Sequence, residues 1–237
     1  MLRLEIDFLP VPRELDVAIV IDVLRMTTTA GVLFARGLSE LSVLADIAEA
    51  HTAAAPSGAL LLGEREGVKL PGFDGGNSPL EYMEMDLTGR SAVLCTSNGS
   101  KAVVTAAGAR QLLLGSIVNA GVVAERAVEL AEESVTLICA GTAGQVSMDD
   151  ALGAYAIAKE IVRIDTATNA SDGTRIVLAY GAQITDMRVA LHEASHAALL
   201  RKIGFGADVD FAAHLNYLDI VPIRTSGRDH VFRATAS

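Results

Sequence analysis

Val17-Ala-Ile-Val-Ile-Asp-Val23 runs without a break into Leu24-Arg-Met-Thr-Thr-Thr29. Apart from Asp22 the first stretch is wholly apolar, the pattern of a strand buried on both faces of a largely parallel sheet. The residues that follow change character, and Thr27–Arg36 reads as a short helix. Strand, loop and helix in succession form the repeating unit of an α/β protein. In an open α/β sheet, ligands bind outside the carboxyl ends of the strands, where Asp22 and Arg25 stand. An ionised carboxylate inside an apolar run is costly unless it is paired or holds a cation. Asp22 therefore has two readings, an ion pair with a nearby arginine or a metal ligand.

The same alternation extends in both directions. Leu2, Leu4, Ile6 and Phe8 alternate with Arg3, Glu5 and Asp7, as in a half-buried strand. Leu41–Leu44 is expected as a strand, Ile47–Ala55 as a helix and Ala59–Leu62 as a strand. The loop from Gly63 to about Leu80 carries five Gly and two Pro, and loops of such length inside a domain are usually functional. The series then recurs with Ala92–Cys95, Gln111–Leu114 and Val135–Cys139 as strands, and Gly99–Ala107 and Val118–Glu132 as helices. Met148–Arg163 is a strong helix, 173–203 is mostly helical, Asp219–Ile223 is a late strand, and the last few residues are expected to fray. These elements predict one α/β domain over residues 1–237, a layered α/β/α structure with a mainly parallel or mixed sheet. Two related βαβαβ halves, about 16–80 and 90–165, are read as an internal duplication.

Composition narrows the function. The chain has 237 residues, 51% of them hydrophobic, with no Trp, so aliphatic side chains supply most of the packing. No apolar run is long enough to cross a bilayer, and the first residues lack a leader pattern. Cys95 and Cys139 each end an apolar run and read as buried structural thiols, in keeping with a cytoplasmic protein. The net charge of −10 argues against nucleic acid and anionic membranes as partners. It also gives a small anionic substrate no global attraction, so local cations or a metal must capture it. The oligomeric state stays open, a homo-oligomer included.

Two strand ends combine carboxylate and guanidinium, Asp22 with Arg25 and Glu64 with Arg65. Carboxylates there suit a hard cation, and arginines and hydroxyls suit an oxyanion. Three further segments, Arg25–Thr29, Thr96-Ser-Asn-Gly-Ser100 and Gly141-Thr-Ala-Gly144, couple small or hydroxyl residues to helix starts. Such ends bind phosphate, yet the same residues also serve as simple caps. Ser147-x-x-Asp150 has capping-box spacing, which gives Asp150 a capping reading beside a metal one. The mixture points to phosphate-ester chemistry.

The ordered set Asp22-Val-Leu-Arg-Met-Thr-Thr-Thr29, Leu62-Gly-Glu-Arg65, Pro71-Gly-Phe-Asp-Gly-Gly-Asn-Ser-Pro79, Thr96-Ser-Asn-Gly99, Cys139-Ala-Gly-Thr142 and Ser147-Met-Asp-Asp-Ala151 resembles the 2-phosphosulfolactate phosphatase family. Asp210, Asp219 and Val221-Pro222 extend the likeness into the tail. The resemblance implies a magnesium-dependent hydrolase that releases sulfolactate and phosphate. It implies Asp22, Glu64 and Asp150 around the ion, with Asp149 as the substitute for Asp150. Arg25 and Arg65 would clamp the phosphoryl oxygens, and Thr27, Thr28, Asn98, Gly99 and Thr142 would add donors. Asn77 and Ser78 would close over the substrate from the long loop. Lys69, in that loop, is either a contact for a sulfonate or carboxylate or an ordinary exposed lysine. There are departures: the usual Thr-Thr-Asn-Gly-Thr is Thr96-Ser-Asn-Gly-Ser100 here, Glu66 stands where Gly is usual, and Asp149-Asp150 replaces the commoner Glu-Asp.

Other chemistries fit less well. Haloacid-dehalogenase-type phosphatases need a second Asp two residues after the nucleophile, and position 24 is Leu. Direct attack by metal-bound water is therefore expected over an aspartyl-phosphate. Cysteine phosphatases need Arg six residues beyond the thiol, where Lys101 and Gln145 stand. His192-Glu-Ala-Ser-His196 is a literal H-E-x-x-H, so a zinc hydrolase with Asp210 or His214 as third ligand is one alternative. On the phosphatase reading both histidines are dispensable. A non-catalytic anion-binding protein is the other alternative, and it would not need Asp22 together with Glu64.

Overall fold

The structure, a computed structural model, describes residues 1–235. In chain order the elements are β1 (Arg3–Asp7), β2 (Leu15–Ile21), α1 (Met26–Ala35), β3 (Glu40–Val43), α2 (Ile47–Ala54), β4 (Leu60–Arg65) and β5 (Val68–Lys69). The second series is β6 (Ser91–Cys95), α3 (Gly99–Thr105), β7 (Ala109–Gly115), α4 (Ala120–Leu130), β8 (Ser134–Cys139) and α5 (Met148–Ile164). The chain continues through β9 (Asn169–Ala170), α6 (Asp172–Gly181), α7 (Met187–His192), α8 (Ser195–Lys202), α9 (Gly206–Ala212), β10 (Val221–Arg224) and β11 (Val231–Thr235). The α/β alternation read from the sequence is present, with most boundaries within two or three residues.

The strands form one mixed sheet in the order β5-β4-β6-β3-β11-β10-β7-β2-β8-β1-β9. Two parallel blocks make up most of it, β4-β6-β3 and β7-β2-β8-β1-β9. The antiparallel hairpin β10–β11 joins them. The late strand is thus the bridge between the blocks. The tail does not fray up to residue 235, because β11 pairs with both β3 and β10; positions 236–237 lie outside the described residues. The strands of the two sequence halves interleave. β2 lies between β7 and β8, and β6 lies between β3 and β4.

Strand alternation divides the core. Val17, Ile19 and Ile21 of β2 face α4 and α5, packing with Val123, Leu152 and Ile157. Ala18 and Val20 face the other way, onto Met26, Leu33, Leu41, Leu94 and Phe232. Helix α1 is buried from Met26 to Phe34, as a helix apolar on all sides must be. Truncating Leu33 there would cost about 2–5 kcal/mol. Four strands (β3, β11, β10 and β7) separate β6 from β2, yet the residues just beyond these two strands touch. A side chain at Gly99 would strike Asp22 Oδ2 and Met26. The sheet therefore curls around α1 and brings distant strand ends together.

The helical stretch 173–203 is three helices, not one. α7 stops at His192, Ala194 adopts extended backbone with ψ 139°, and α8 starts at Ser195.

Candidate active site

A cavity of about 420 Å³ opens at the carboxyl ends of β2, β4, β6 and β8. The β2–α1 loop contributes Asp22, Leu24 and Arg25, and the turn after β4 contributes Glu64, Glu66 and Gly67. Asn77 comes from the long loop, Ser97, Asn98 and Lys101 from the β6–α3 segment, Thr142 and Ala143 from the loop after β8, and His196 and Leu199 from α8. Convergence at strand carboxyl ends is what α/β topology favours.

The acidic side is assembled from separate strands. Asp22 is 7% exposed, and its Oδ1 accepts the Met26 N–H at 3.3 Å. Burial, the neighbouring charge of Asp149 and that of Glu64 push its carboxyl up to about 7, against the pull of the Met26 and Gly99 amides. Glu64 accepts the Gly67 N–H at 2.7 Å on Oε2 and the Ser97 N–H at 2.8 Å on Oε1. It thereby ties the β4 turn to the β6 turn. Gly63, just before it, has φ 158° and packs so closely on Cys95 O that a Cβ would overlap it. That contact aims the following carboxylate inward.

Asp149 and Asp150 lie behind this wall. Asp149 accepts a short hydrogen bond from Ser147 Oγ, and its Oδ2 is 3.9 Å from His196 Nδ1. Burial raises its pKa. Asp150 spends one oxygen on the Val23 N–H at 3.0 Å and the other on the Gly141 N–H at 2.9 Å. Burial, then Asp149 and Asp22, push it well above the ordinary carboxylate range. Asp150 thus pins the loop after β2 to the loop after β8 and does not line the cavity.

The two arginines read from the strand ends part company. Arg25 lines the cavity and is 3% exposed. It donates to Asp208 Oδ2 at 2.7 Å and to Gly67 O at 2.6 Å, and its guanidinium stacks 4.3 Å from the Phe205 ring centre. Arg65 follows Glu64 on the same strand, so it points to the opposite side. It bonds Glu64 O, Cys95 O and Ala45 O instead. The threonines also turn inward. Thr27 Oγ1 donates to Asp22 O, Thr28 Oγ1 to Val23 O and Thr29 Oγ1 to Asn77 O. Ser78 donates to Asp208 Oδ1 at 2.7 Å. None of Arg65, Thr27, Thr28, Ser78 or Asp150 lines the cavity, whereas Asp22, Arg25, Glu64, Asn77, Asn98 and Thr142 do. Gly99 packs against Asp22 from the side.

The donor set can be tested against a hard cation. Among the described residues no group of three or more His, Cys, Asp or Glu is placed to hold a metal. Two carboxylates, Asp22 and Glu64, do share the cavity, and Asn77 Oδ1 is buried without a hydrogen-bond partner among the described residues. Each Glu64 oxygen accepts one amide and keeps a further lone pair. Magnesium takes few protein oxygens and retains several waters, so two carboxylates and an orphaned amide oxygen fit it.

Sequence comparison decides the family. Residues 9–227 match the model of the 2-phosphosulpholactate phosphatase family. Relatives named as probable 2-phosphosulfolactate phosphatases include one from Deinococcus radiodurans, 40% identical over 96% of this chain and 95% of that protein. One from Carboxydothermus hydrogenoformans is 38% identical over 92% of each, and one from Thermus thermophilus is 36% identical over 94% of each. The chain belongs to the 2-phosphosulfolactate phosphatase family. Membership places it among the phosphoric monoester hydrolases.

Membership of the 2-phosphosulfolactate phosphatase family and the geometry together remove the zinc alternative. The helix break at Glu193–Ala194 separates the two histidines that a continuous helix would align. His192 Nε2 bonds Asp210 Oδ1 at 2.8 Å, and its Nδ1 faces Arg201 at 2.8 Å, so neither ring nitrogen is open to a metal. His196 instead enters the cavity. Of the two histidines, His196 alone lines the cavity, while His192 is engaged by Asp210 and Arg201. Ser97, Lys101 and Asp208 were not singled out as site residues in the sequence, and His196 only as a zinc ligand. Asp208 had no motif, Lys101 stood out only for spoiling a cysteine-phosphatase pattern, and Ser97 acts through its main chain. Lys69 lies exposed on β5, outside the cavity.

Proposed function

We propose that this protein is a magnesium-dependent hydrolase that converts 2-phosphosulfolactate and water to sulfolactate and phosphate. The observation that carries the reading is that Asp22 and Glu64, from different blocks of the sheet, line one cavity with Arg25. An anion-binding protein has no use for two carboxylates at its binding wall.

Asp22, Glu64 and the Asn77 oxygen would hold the ion. A bound magnesium ion supplies charge neutralisation at the phosphoryl oxygens. Arg25, held flat by Asp208 and Phe205, presents its remaining N–H groups to the same oxygens through charge-assisted bonds. Asn98 accepts the Ala143 N–H on Oδ1 at 3.3 Å, which leaves its NH₂ as a donor. Leu24 and Leu199 supply apolar wall and limit the water that competes with these bonds. In the reaction a water oxygen bonds to phosphorus and the water gives up a proton, the phosphorus–ester oxygen bond breaks, and the departing alkoxide takes up a proton in its place to become the hydroxyl of sulfolactate. Direct water attack is preferred to an aspartyl-phosphate because Leu24 occupies the place of the second Asp.

The substrate is a small anionic phosphorylated molecule, and the −10 net charge argues against nucleic acid and anionic membranes as partners. Among the described residues no helix is long and apolar enough to cross a membrane. Both cysteines are free and buried, which accords with the cytoplasm, where we place the enzyme.

The test is phosphate release from 2-phosphosulfolactate with magnesium, and again after chelation. Release that stops with chelator and returns with magnesium is expected. Binding without turnover would make this an anion-binding protein, and turnover indifferent to chelation would remove the metal from the reading. A phosphoryl adduct trapped on Asp22 would replace water attack with a covalent route.

A further inference from the structure

The cavity presents two cationic side chains of very different standing. Arg25 is committed, with Asp208, Gly67 O and the Phe205 ring already engaging it. Lys101 lines the same cavity, is exposed, and has no ion pair or hydrogen bond to another side chain among the described residues. It is the one lysine at a wall that also carries Asp22, Glu64 and Glu66.

Its position in the chain separates it from the acidic pole. Ser97 gives its N–H to Glu64, and Gly99 abuts Asp22, so the root of this segment belongs to the carboxylates and whatever they hold. Lys101 stands on the next part of α3, beyond that root. A phosphoryl group placed at Asp22, Glu64 and Arg25 leaves the Lys101 ammonium free for a different anionic group of the same molecule. Asn98, between the two poles, holds its oxygen on Ala143 and has its NH₂ without a partner among the described residues. Lys101 and Asn98 are therefore two donors on one cavity wall, neither of them bonded to a carboxylate among the described residues.

We propose that Lys101 is the specificity-determining residue of this site, receiving the carboxylate or sulfonate that the substrate carries beside its phosphoester. The inference rests on the phosphatase reading above and narrows it to phosphorylated hydroxy acids with a second acid group. A flexible ammonium suits this task because it meets a carboxylate or a sulfonate without demanding planar two-point geometry.

The experiment compares kcat and KM for 2-phosphosulfolactate and for phenyl phosphate, whose alcohol carries no acid group. The variants are Lys101→Gln, Lys101→Glu and Lys101→Arg, with thermal unfolding confirming that each is folded. Lys101→Gln should lower the ratio of the two kcat/KM values at least tenfold, mostly through KM for 2-phosphosulfolactate. Lys101→Glu should lower it further, and Lys101→Arg should restore most of it. A ratio within twofold of the unsubstituted protein overturns the proposal, whether both activities fall together or neither changes. If the unsubstituted protein hydrolyses neither ester, the phosphatase reading has failed by itself. Calorimetric titration with sulfolactate then judges Lys101: binding that Lys101→Gln weakens tenfold upholds it, and no binding or no weakening rejects it.

Discussion

Strand β2 carries an aspartate near each end, and the two live in opposite electrostatic worlds. Asp16, near the amino end, accepts N–H bonds from Glu132, Glu133 and Ser134 at 2.8, 2.6 and 3.0 Å and pairs with Arg110. Burial alone would raise its pKa, but those three amides and the guanidinium pull it down to about 2. Asp22, just past the carboxyl end, has two amides, no cation pair among the described residues, and acidic neighbours in Asp149 and Glu64, and it rises to about 7. The same residue type on the same strand is thus a clasp at one end and a stored charge deficit at the other. The difference lies in what the fold supplies. Amides and arginine make a carboxylate stabilising, whereas burial among other carboxylates makes it a demand for a cation.

The largest expected effect tests that division at its functional end. Asp22→Asn should lower kcat for 2-phosphosulfolactate by about 10³-fold, measured by phosphate release at saturating magnesium. A variant that keeps a tenth of the activity would end the distinction, because Asp22 would then be as structural as Asp16. Next in size is Asp208→Ala, which strands the buried Arg25 guanidinium. It should cost about 3–5 kcal/mol of stability, read from urea unfolding. A loss under 1 kcal/mol would mean that Gly67 O and Phe205 suffice to hold Arg25.

Asp16→Ala should cost about 2 kcal/mol at pH 7. Because the folded-state pKa of Asp16 lies below its ordinary value of 3.8, its contribution is complete above about pH 4 and fades as pH falls toward 2. The gap between variant and parent should close over that window, and a gap independent of pH would break the comparison. Asp22→Asn should do the reverse in chelator. With its folded-state pKa raised from 3.8 to about 7, Asp22 disfavours the fold increasingly as pH climbs between those values. The variant should therefore melt about 2–4 °C above the parent at pH 8, corresponding to about 1 kcal/mol. The two should coincide below pH 4. Equal melting temperatures at pH 8 would show that Asp22 is not in deficit.

Much of this was legible in the sequence, for identifiable reasons. An apolar run with one acid in it announced both a doubly buried strand and Asp22. Gly63 before Glu64 signalled an inward carboxylate. Alternate strand residues face opposite ways, so Arg65 leaves the cavity once Glu64 enters it, whereas the shared motif leads a reading of the sequence to place both inside. The threonines after Arg25 read as phosphate ligands but face the interior, because α1 is enclosed by the curled sheet and its hydroxyls meet main-chain carbonyls. That curl is a long-range property that no local pattern records. Asp208 was hidden for the same reason, since its partner Arg25 lies far away in the chain. The break that turns His196 away from His192 carries neither Gly nor Pro, so the sequence there still looks like continuous helix.

The interleaved strand order has a consequence for biosynthesis. β2 leaves the ribosome well before β7 and β8, the strands that flank it, and β3 and β4 must leave a gap that β6 fills later. Nascent segments thus spend part of translation with open edges, and Arg25 lacks its carboxylate partner until residue 208 has been made. A message cut short anywhere before that codon yields no partially working enzyme, only exposed strands awaiting neighbours that never arrive.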